Sequence, residues 1–347
     1  MRSLYTLNYR NLQSQTIFFE KGVHAVIGNN GQGKTNLLEA VYLGLTGLTD
    51  ARRLEHLVHQ NAEQGYVRVV IERIDGQSVF EVGIGKGKRL LKLDGVRVKG
   101  GAFLRTGVVW IRPEDSAIVL EGPIHRRTYL DQLLGKISAR YQGLQALYHR
   151  NLLQRNASLH MGSWALMEWN IRLAELGSEI QNFRRRVLLR LQEVAHEAYI
   201  SLGGQEPLVF SLEETTTPET YLDDFIRLGE QERLRKTTLI GPHRDDLKIQ
   251  LGNLSAHTFA SRGEARTIAL ALRKAEFELL SEKNSEAPLL LVDDFTAELD
   301  PLRRSALLQM IQSSGQSLVT GTEAFPNPDV AFVLQSGSVS RVDHVSA

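Results

Sequence analysis

The spacing of apolar residues changes along the chain, and each change marks an element. Residues 23–27, VHAVI, are almost wholly apolar, the pattern of a strand buried on both faces. Residues 35–45, TNLLEAVYLGL, place Leu37, Leu38, Val41 and Leu45 at helical spacing. EQGYVRVVIERID (63–75) and QSVFEVGIG (77–85) read as two strands meeting at the turn Asp75-Gly76. From 126 the period is helical again, with Leu130, Leu133, Leu134, Ile137, Tyr141, Leu144, Leu147 and Tyr148 in phase through 156. A second run, 164–200, has the same character and no proline. Two long helices joined at MGS (161–163) predict an antiparallel hairpin arm whose stripes are core packing. A further helix begins at Ser261 and aligns Ala265, Ile268, Leu272, Ala275 and Leu279. LLLV (289–292) is another buried strand, and Asp300-Pro301 reads as a helix cap and first turn.

Between the first strand and the first helix lies GNNGQGKT, residues 28–35, a phosphate loop where such a loop must sit. Its glycines let the backbone N–H groups turn inward, and the helix start adds partial positive charge. Gly28, Asn29, Asn30, Gly31, Gln32, Gly33, Lys34, Thr35 and Asn36 are therefore the candidate nucleotide-binding segment. Lys34 can reach the β- and γ-phosphates of ATP, and Thr35 can ligate Mg²⁺. At the far strand, Asp293 is the second Mg²⁺ candidate and Asp294 is placed to polarise the attacking water. Ser261 with Gly263 at a helix start is, alone, either an ordinary serine cap or an anion-binding terminus.

Composition narrows the class. The 347 residues are 42% hydrophobic, enough for a sizeable core. No apolar stretch is long enough to span a membrane and the N-terminus lacks a secretory pattern, so a cytoplasmic protein is expected. The absence of cysteine removes disulfides, thiolate metal sites and thiol nucleophiles. A net charge of +1 means that any nucleic-acid contact must be a local patch. One candidate is 84–100, with Lys86, Lys88, Arg89, Lys92, Arg97 and Lys99 on a predicted hairpin. Arg184, Arg185, Arg186 and Arg190 form another. Each is a set of phosphate contacts or a solvated face.

The order phosphate loop, long insertion, SRGE (261–264), LLLVDD (289–294), AELD (297–300) resembles the ATP-binding-cassette class of P-loop ATPases. That resemblance implies a nucleotide held between two copies, with Ser261 and Gly263 meeting the γ-phosphate in trans and Asp300 in the loop crossing the interface. NYRNL (8–12) resembles the chromosome-maintenance branch, which implies that Arg10 and Asn11 lie beside the nucleotide. TTLIGPHRDDLKI (237–249), SRGEART (261–267) and IRPEDSAIVLEGPIHRRTYLD (111–131) together resemble the RecF family of bacterial recombination mediators, over nearly the whole chain. The resemblance implies an α/β cassette-type head with an antiparallel β subdomain and a short helical arm. It also implies ATP and Mg²⁺, a homodimer formed on ATP, DNA, a RecR-like partner, a role in DNA repair and support of RecA loading. By the same resemblance Arg52 and Arg53 approach the γ-phosphate or DNA; otherwise they are surface charge. The expected boundaries are 1–125 and 235–347 for the head and 126–234 for the arm, with Lys248–Leu251 as a late head strand. Transporter ATPases carry a glutamine after the first lobe and a histidine after the last core strand. VVWIRPEDS and SLVTGTEAF have neither, which argues against a transport motor. The helical insertion offers no acceptor pocket for a small-molecule kinase. Asp294 is one methylene shorter than the usual glutamate, so slow hydrolysis, a switch, is expected. GPHRDD (241–246) is either structural or nucleotide-sensing.

Overall fold

The computed structural model describes residues 1–73, 76–99, 103, 107–162, 166–284, 286–294, 300–323 and 325–342. The chain opens with β1 (Ser3–Leu7), β2 (Gln15–Phe18), β3 (Gly22–Ile27) and α1 (Lys34–Thr46). Then come β4 (Gln64–Arg73), β5 (Gly76–Gly85), β6 (Lys88–Leu93), β7 (Val96–Arg97) and β8 (Val108–Ile111). The middle is helical: α2 (Ala117–Leu120), α3 (Pro123–Ile137), α4 (Ala139–His160) and α5 (Met167–Ser201). β9 (Leu208–Glu213), α6 (Tyr221–Arg235), β10 (Asp246–Leu251), β11 (Leu254–Ser255) and α7 (Ala256–Phe259) lead to α8 (Arg262–Asn284). The chain ends with β12 (Leu289–Val292), α9 (Pro301–Ser313), β13 (Gln316–Gly321), β14 (Val330–Gln335) and β15 (Ser338–Val342). Among the described residues, no helix is long and apolar enough to cross a membrane.

Two compact units emerge. The first comprises 1–115, 201–203 and 272–347, and the second 116–200 and 204–271. In the first, a six-stranded sheet runs β15-β14-β3-β13-β12-β8, parallel throughout except for the edge strand β15. A second, antiparallel sheet runs β2-β1-β4-β5-β6-β7. Helix α1 contributes to the core of both: Leu37, Leu38, Ala40, Val41, Leu43 and Leu45 are fully buried beside Val67 and Val69 of one sheet and Val26 and Leu318 of the other. The apolar stripe expected from the sequence thus widens to nearly the whole circumference, as it must for a helix covered on all sides. Gly44 is where the second sheet comes closest, since a Cβ there would lie 2.4 Å from Val69 Cγ2.

The antiparallel sheet is set by its turns. Lys86-Gly87 joins β5 to β6 and Asp94-Gly95 joins β6 to β7, all four with positive φ (47°, 67°, 51° and 78°). Paired positive φ values match the twist of a two-residue hairpin. The expected pairing of β4 with β5 is present from Gln64↔Gly85 to Arg73↔Gly76, while Asp75 lies outside the described residues.

In the second unit, α4 and α5 run antiparallel: Arg155 Nε donates to Asn170 Oδ1 at 2.8 Å near one end, and Arg184 Nε to Tyr141 Oη at 3.2 Å near the other. The predicted first arm helix is two helices. Ser138 interrupts it and accepts from Tyr141 N, capping α4. Ser163 of the connecting MGS falls outside the described residues. The boundaries differ from those read off the sequence, because 116–125 and 235–271 pack with the helices. Lys248–Leu251 is not a head strand: β10 pairs with β9 from Asp246↔Glu213 to Leu251↔Leu208 in a three-stranded sheet, β11-β10-β9. Arg126 of α3 fastens it, with Nε and NH2 donating to the two Asp246 oxygens at 2.8 and 2.9 Å.

Candidate functional site

The phosphate loop leaves β3 and closes onto α1. Gly28 has no room for a side chain, since a Cβ would lie 2.4 Å from the Leu334 carbonyl oxygen. Gly33, at φ +114°, would place one 2.7 Å from Asn11 Oδ1. Asn11 donates to the Gln32 and Gly31 carbonyls at 3.2 and 3.4 Å and accepts from Asn36 Nδ2 at 2.7 Å, so it braces the loop. Gln32 Oε1 accepts from Ser336 N at 2.6 Å. Asn29, Asn30 and Gly31 are exposed at the mouth. Lys34 is buried, and its ammonium donates to Gly28 O at 2.6 Å and Asn29 O at 3.1 Å. A cation thus stands inside a glycine-lined loop at a helix start, a donor set that fits a triphosphate.

Arg10 is engaged within the fold. Its φ is +47° and its guanidinium forks onto Glu39 of α1, with Nε to one carboxylate oxygen and NH2 to the other at 2.8 Å. Glu39 is buried, so Arg10 neutralises it.

Strand β13 separates β3 from β12, and its penultimate residue, Thr320, links the acids. Thr320 Oγ1 donates to Asp293 Oδ1 at 2.7 Å and accepts from the Asp294 N–H at 3.0 Å. Asp293 is buried, with the Thr35 hydroxyl near enough to act on its carboxyl. Burial raises its carboxyl above the usual range, against those two hydroxyls and with help from the charges of Glu114 and Asp294. A carboxylate beside a phosphate-loop threonine hydroxyl is a hard oxygen pair that suits Mg²⁺. Asp294 has φ +50°, a left-handed conformation at the residue expected to face water. Sequence reasoning missed Thr320, although a hydroxyl closing the run SLVT was a visible signal.

Ser261 and Gly263 belong to the second unit. Ser261 is exposed and forms a reciprocal capping box with Glu264: Ser261 N and Oγ donate to Glu264 Oε2 at 2.8 and 2.7 Å, and Glu264 N donates back at 3.2 Å. Asp300 caps α9, accepting from Arg303 N at 3.0 Å, with Pro301 in the first turn as expected. Residues 297–299 of AELD lie outside the described residues.

GPHRDD is a structural clamp within the second unit. Asp245 Oδ1 accepts from Thr215 N and Oγ1, each at 2.8 Å, and its Oδ2 from Gln181 at 3.1 Å. His243 Nδ1 meets Tyr148 Oη at 2.8 Å, and Nε2 meets Thr238 O at 3.2 Å. Burial lowers the His243 imidazole to about 4, and the charges of Arg244, Arg127 and Arg155 act in the same direction. A folded value below the unfolded one, about 6.5, gives stability that is present above pH ~6.5 and lost as the pH falls toward ~4. The loss is at most about 3 kcal/mol. Melting temperatures measured from pH 7 to 4 should fall more steeply for the native chain than for His243→Gln. Parallel curves would remove His243 from the account.

The basic candidates divide. Arg89 donates to the carbonyl of Gly47, the C-cap of α1, and is taken from the DNA set. Lys92 is half-buried and faces Glu81 across β5 and β6. Lys86, Lys88, Arg97, Lys99, Arg52 and Arg53 remain exposed. On α5, Arg184 is buried against Asp131 at 2.8 Å, Arg185 pairs with Glu214 at 2.5 Å and Arg190 with Glu193 at 2.6 Å, which favours the solvated or packed reading for that run.

Residues 1–325 match the RecF/RecN/SMC N terminal domain family. A Deinococcus deserti protein named DNA replication and repair protein RecF is 52% identical over 97% of this chain and 94% of its own, and the namesake from Deinococcus radiodurans is 50% identical over 99% and 96%. The solved structure of the recombination mediator protein RecF-ATP in the RecFOR pathway superposes with a TM-score of 0.92 at 29% identity, covering 98% of this chain and 97% of that one. An Smc head superposes at 0.56 with 18% identity, a likeness of fold. With a cassette-type head, a phosphate loop and these relatives, the chain belongs to the RecF family.

Proposed function

We propose that this chain is an ATP-dependent recombination mediator of DNA repair, in which ATP joins two copies into a clamp on DNA and slow hydrolysis releases it. The observation that carries the reading is the buried Lys34 ammonium held inside the glycine loop, with the buried Asp293 carboxylate fixed by Thr320 at the end of a nearby strand of the same sheet. Lys34 meets the β- and γ-phosphates, and the loop N–H groups from Gly28 to Asn36 surround them. Thr35 and Asp293 hold Mg²⁺, which when bound offsets phosphate charge. Asp294 orients the attacking water, from a shorter side chain than glutamate. Ser261 and Gly263 of one copy meet the γ-phosphate held by the other, with Asp300 beside the same interface. Lys86, Lys88, Arg97 and Lys99, with Arg52 and Arg53, contact DNA phosphates without reading sequence. The RecFOR pathway in the relative's name supports a RecR-like partner and a step that supports RecA loading.

Light scattering with and without ATP, then with DNA, tests this reading. The native chain should double in mass with ATP and retain DNA. Ser261→Arg should bind ATP within about threefold of normal yet stay monomeric, because a bulky cation replaces the serine where the phosphate would arrive. Normal dimerisation of Ser261→Arg sinks the trans assignment. A native chain that stays monomeric with ATP sinks the clamp and reopens the kinase reading.

A further inference from the structure

Thr320 is 1% exposed and sits near the end of β13, every residue of which is buried. β13 pairs in parallel with β3 on one side, Thr320 opposite Val26, and with β12 on the other, Val319 opposite Val292. The hydroxyl therefore stands on the strand between the phosphate loop and the acids. It has one proton to give, and an ionised carboxylate can only accept. The 2.7 Å bond to Asp293 Oδ1 uses that proton, which leaves a lone pair for the Asp294 N–H at 3.0 Å. The two bonds form one directed chain: the Asp294 amide, the Thr320 hydroxyl, the Asp293 carboxylate. They also grip Asp294 at a φ of +50°, where an L-residue needs support.

We infer that Thr320 is a positioning residue for ATP hydrolysis, fixing the Mg²⁺-binding carboxylate of Asp293 and the backbone of Asp294 in a single arrangement. The inference rests on the roles given to those two acids in the proposed function. Two hydroxyls lie near Asp293, and they differ in what they can do. Thr35 is exposed in the first turn of α1 and is itself a metal ligand in that reading. Thr320 is locked between two paired strands and keeps its bond through the cycle. Its hydroxyl contacts are to Asp293, to the Asp294 N–H and, at 3.5 Å, to the Val292 carbonyl, so it acts through the acids. Its loss should therefore slow the chemical step and leave nucleotide binding in place.

Thr320→Val keeps the shape and removes the hydroxyl. Steady-state hydrolysis with saturating Mg²⁺ and DNA should show kcat lowered about tenfold or more, while calorimetric titration with ATP should give a Kd within about twofold of the native value. Thr320→Ser should restore most of kcat. If Thr320→Val does not fold by thermal melting, Thr320→Cys, a weak donor, carries the same expectation. Native turnover in Thr320→Val, or a parallel loss of ATP affinity and kcat that Thr320→Ser does not repair, overturns the inference. Asp293→Asn separates the levels. If it hydrolyses normally, the acid assignment itself is wrong and the positioning role falls with it. If it is slow while Thr320→Val is normal, only the positioning role fails.

Discussion

Arg155→Met should destabilise the chain by about 3–5 kcal/mol, the scale of an uncompensated buried charge. Arg155 is 1% exposed and Glu232 is wholly buried. The guanidinium donates to Glu232 Oε2 at 2.5 Å, Asn170 Oδ1 at 2.8 Å and Thr238 Oγ1 at 2.8 Å, and lies 4.2 Å from the Phe225 ring centre. These contacts tie α4 to α5, to α6 and to the segment leading into GPHRDD. Glu232 Oε1 is already used by Leu239 N at 2.8 Å, so its other oxygen has Arg155 as its charge partner. Methionine fills much of the volume and leaves that carboxylate in an apolar surrounding. Urea unfolding checks the value. The double variant Arg155→Met, Glu232→Leu should recover a large share of the loss, since removing both charges also removes their desolvation. A single-variant loss below about 1 kcal/mol would mean that water reaches Glu232.

The turn of the phosphate loop between β3 and α1 was legible because its determinants are local. A glycine loop, a lysine and a hydroxyl within eight residues need only the strand and helix that flank them. The hairpins were legible for the same reason, as Lys86-Gly87 and Asp94-Gly95 carry their own turn geometry. Periodicity failed where two elements happened to share a phase. Leu134 and Ile137 of α3 align with Tyr141 and Leu144 of α4, so the stripe runs through the break, and only the cap at Ser138 marks it. GPHRDD was opaque because its partners are distant in sequence: Tyr148, Gln181 and Thr215 have no pattern that joins them to His243 or Asp245. Arg10 and Arg89 show the same limit. Arg10 was a candidate by resemblance and Arg89 by local charge, and each bonds a group that only the fold brings near, Glu39 and the Gly47 carbonyl. Charge on a sequence gives the supply of cations. Which of them stay free is decided by packing.

Lys34→Met should weaken ATP binding about 100-fold or more while leaving the fold intact. The lysine ammonium has three protons, two of which rest on the Gly28 and Asn29 carbonyls at 2.6 and 3.1 Å. Those carbonyls ring the loop mouth, and the remaining proton and the charge are available to the phosphates. A charge-assisted hydrogen bond contributes about 1.5–3 kcal/mol, and the methionine also forfeits the attraction of a full charge for a polyanion. A loss of about 2.7 kcal/mol is already 100-fold. The loop itself should survive, because Asn11 braces Gly31 and Gln32, and Ser336 holds Gln32, without help from Lys34. The melting temperature without nucleotide should therefore shift by only a few degrees, while the rise that ATP confers on the native chain should vanish. Calorimetric titration with ATP and Mg²⁺ measures the affinity directly. Binding within threefold of the native chain would show that the backbone cradle, and not the lysine, supplies the affinity. In that case Lys34 would act in the chemical step, and the defect would appear in kcat instead.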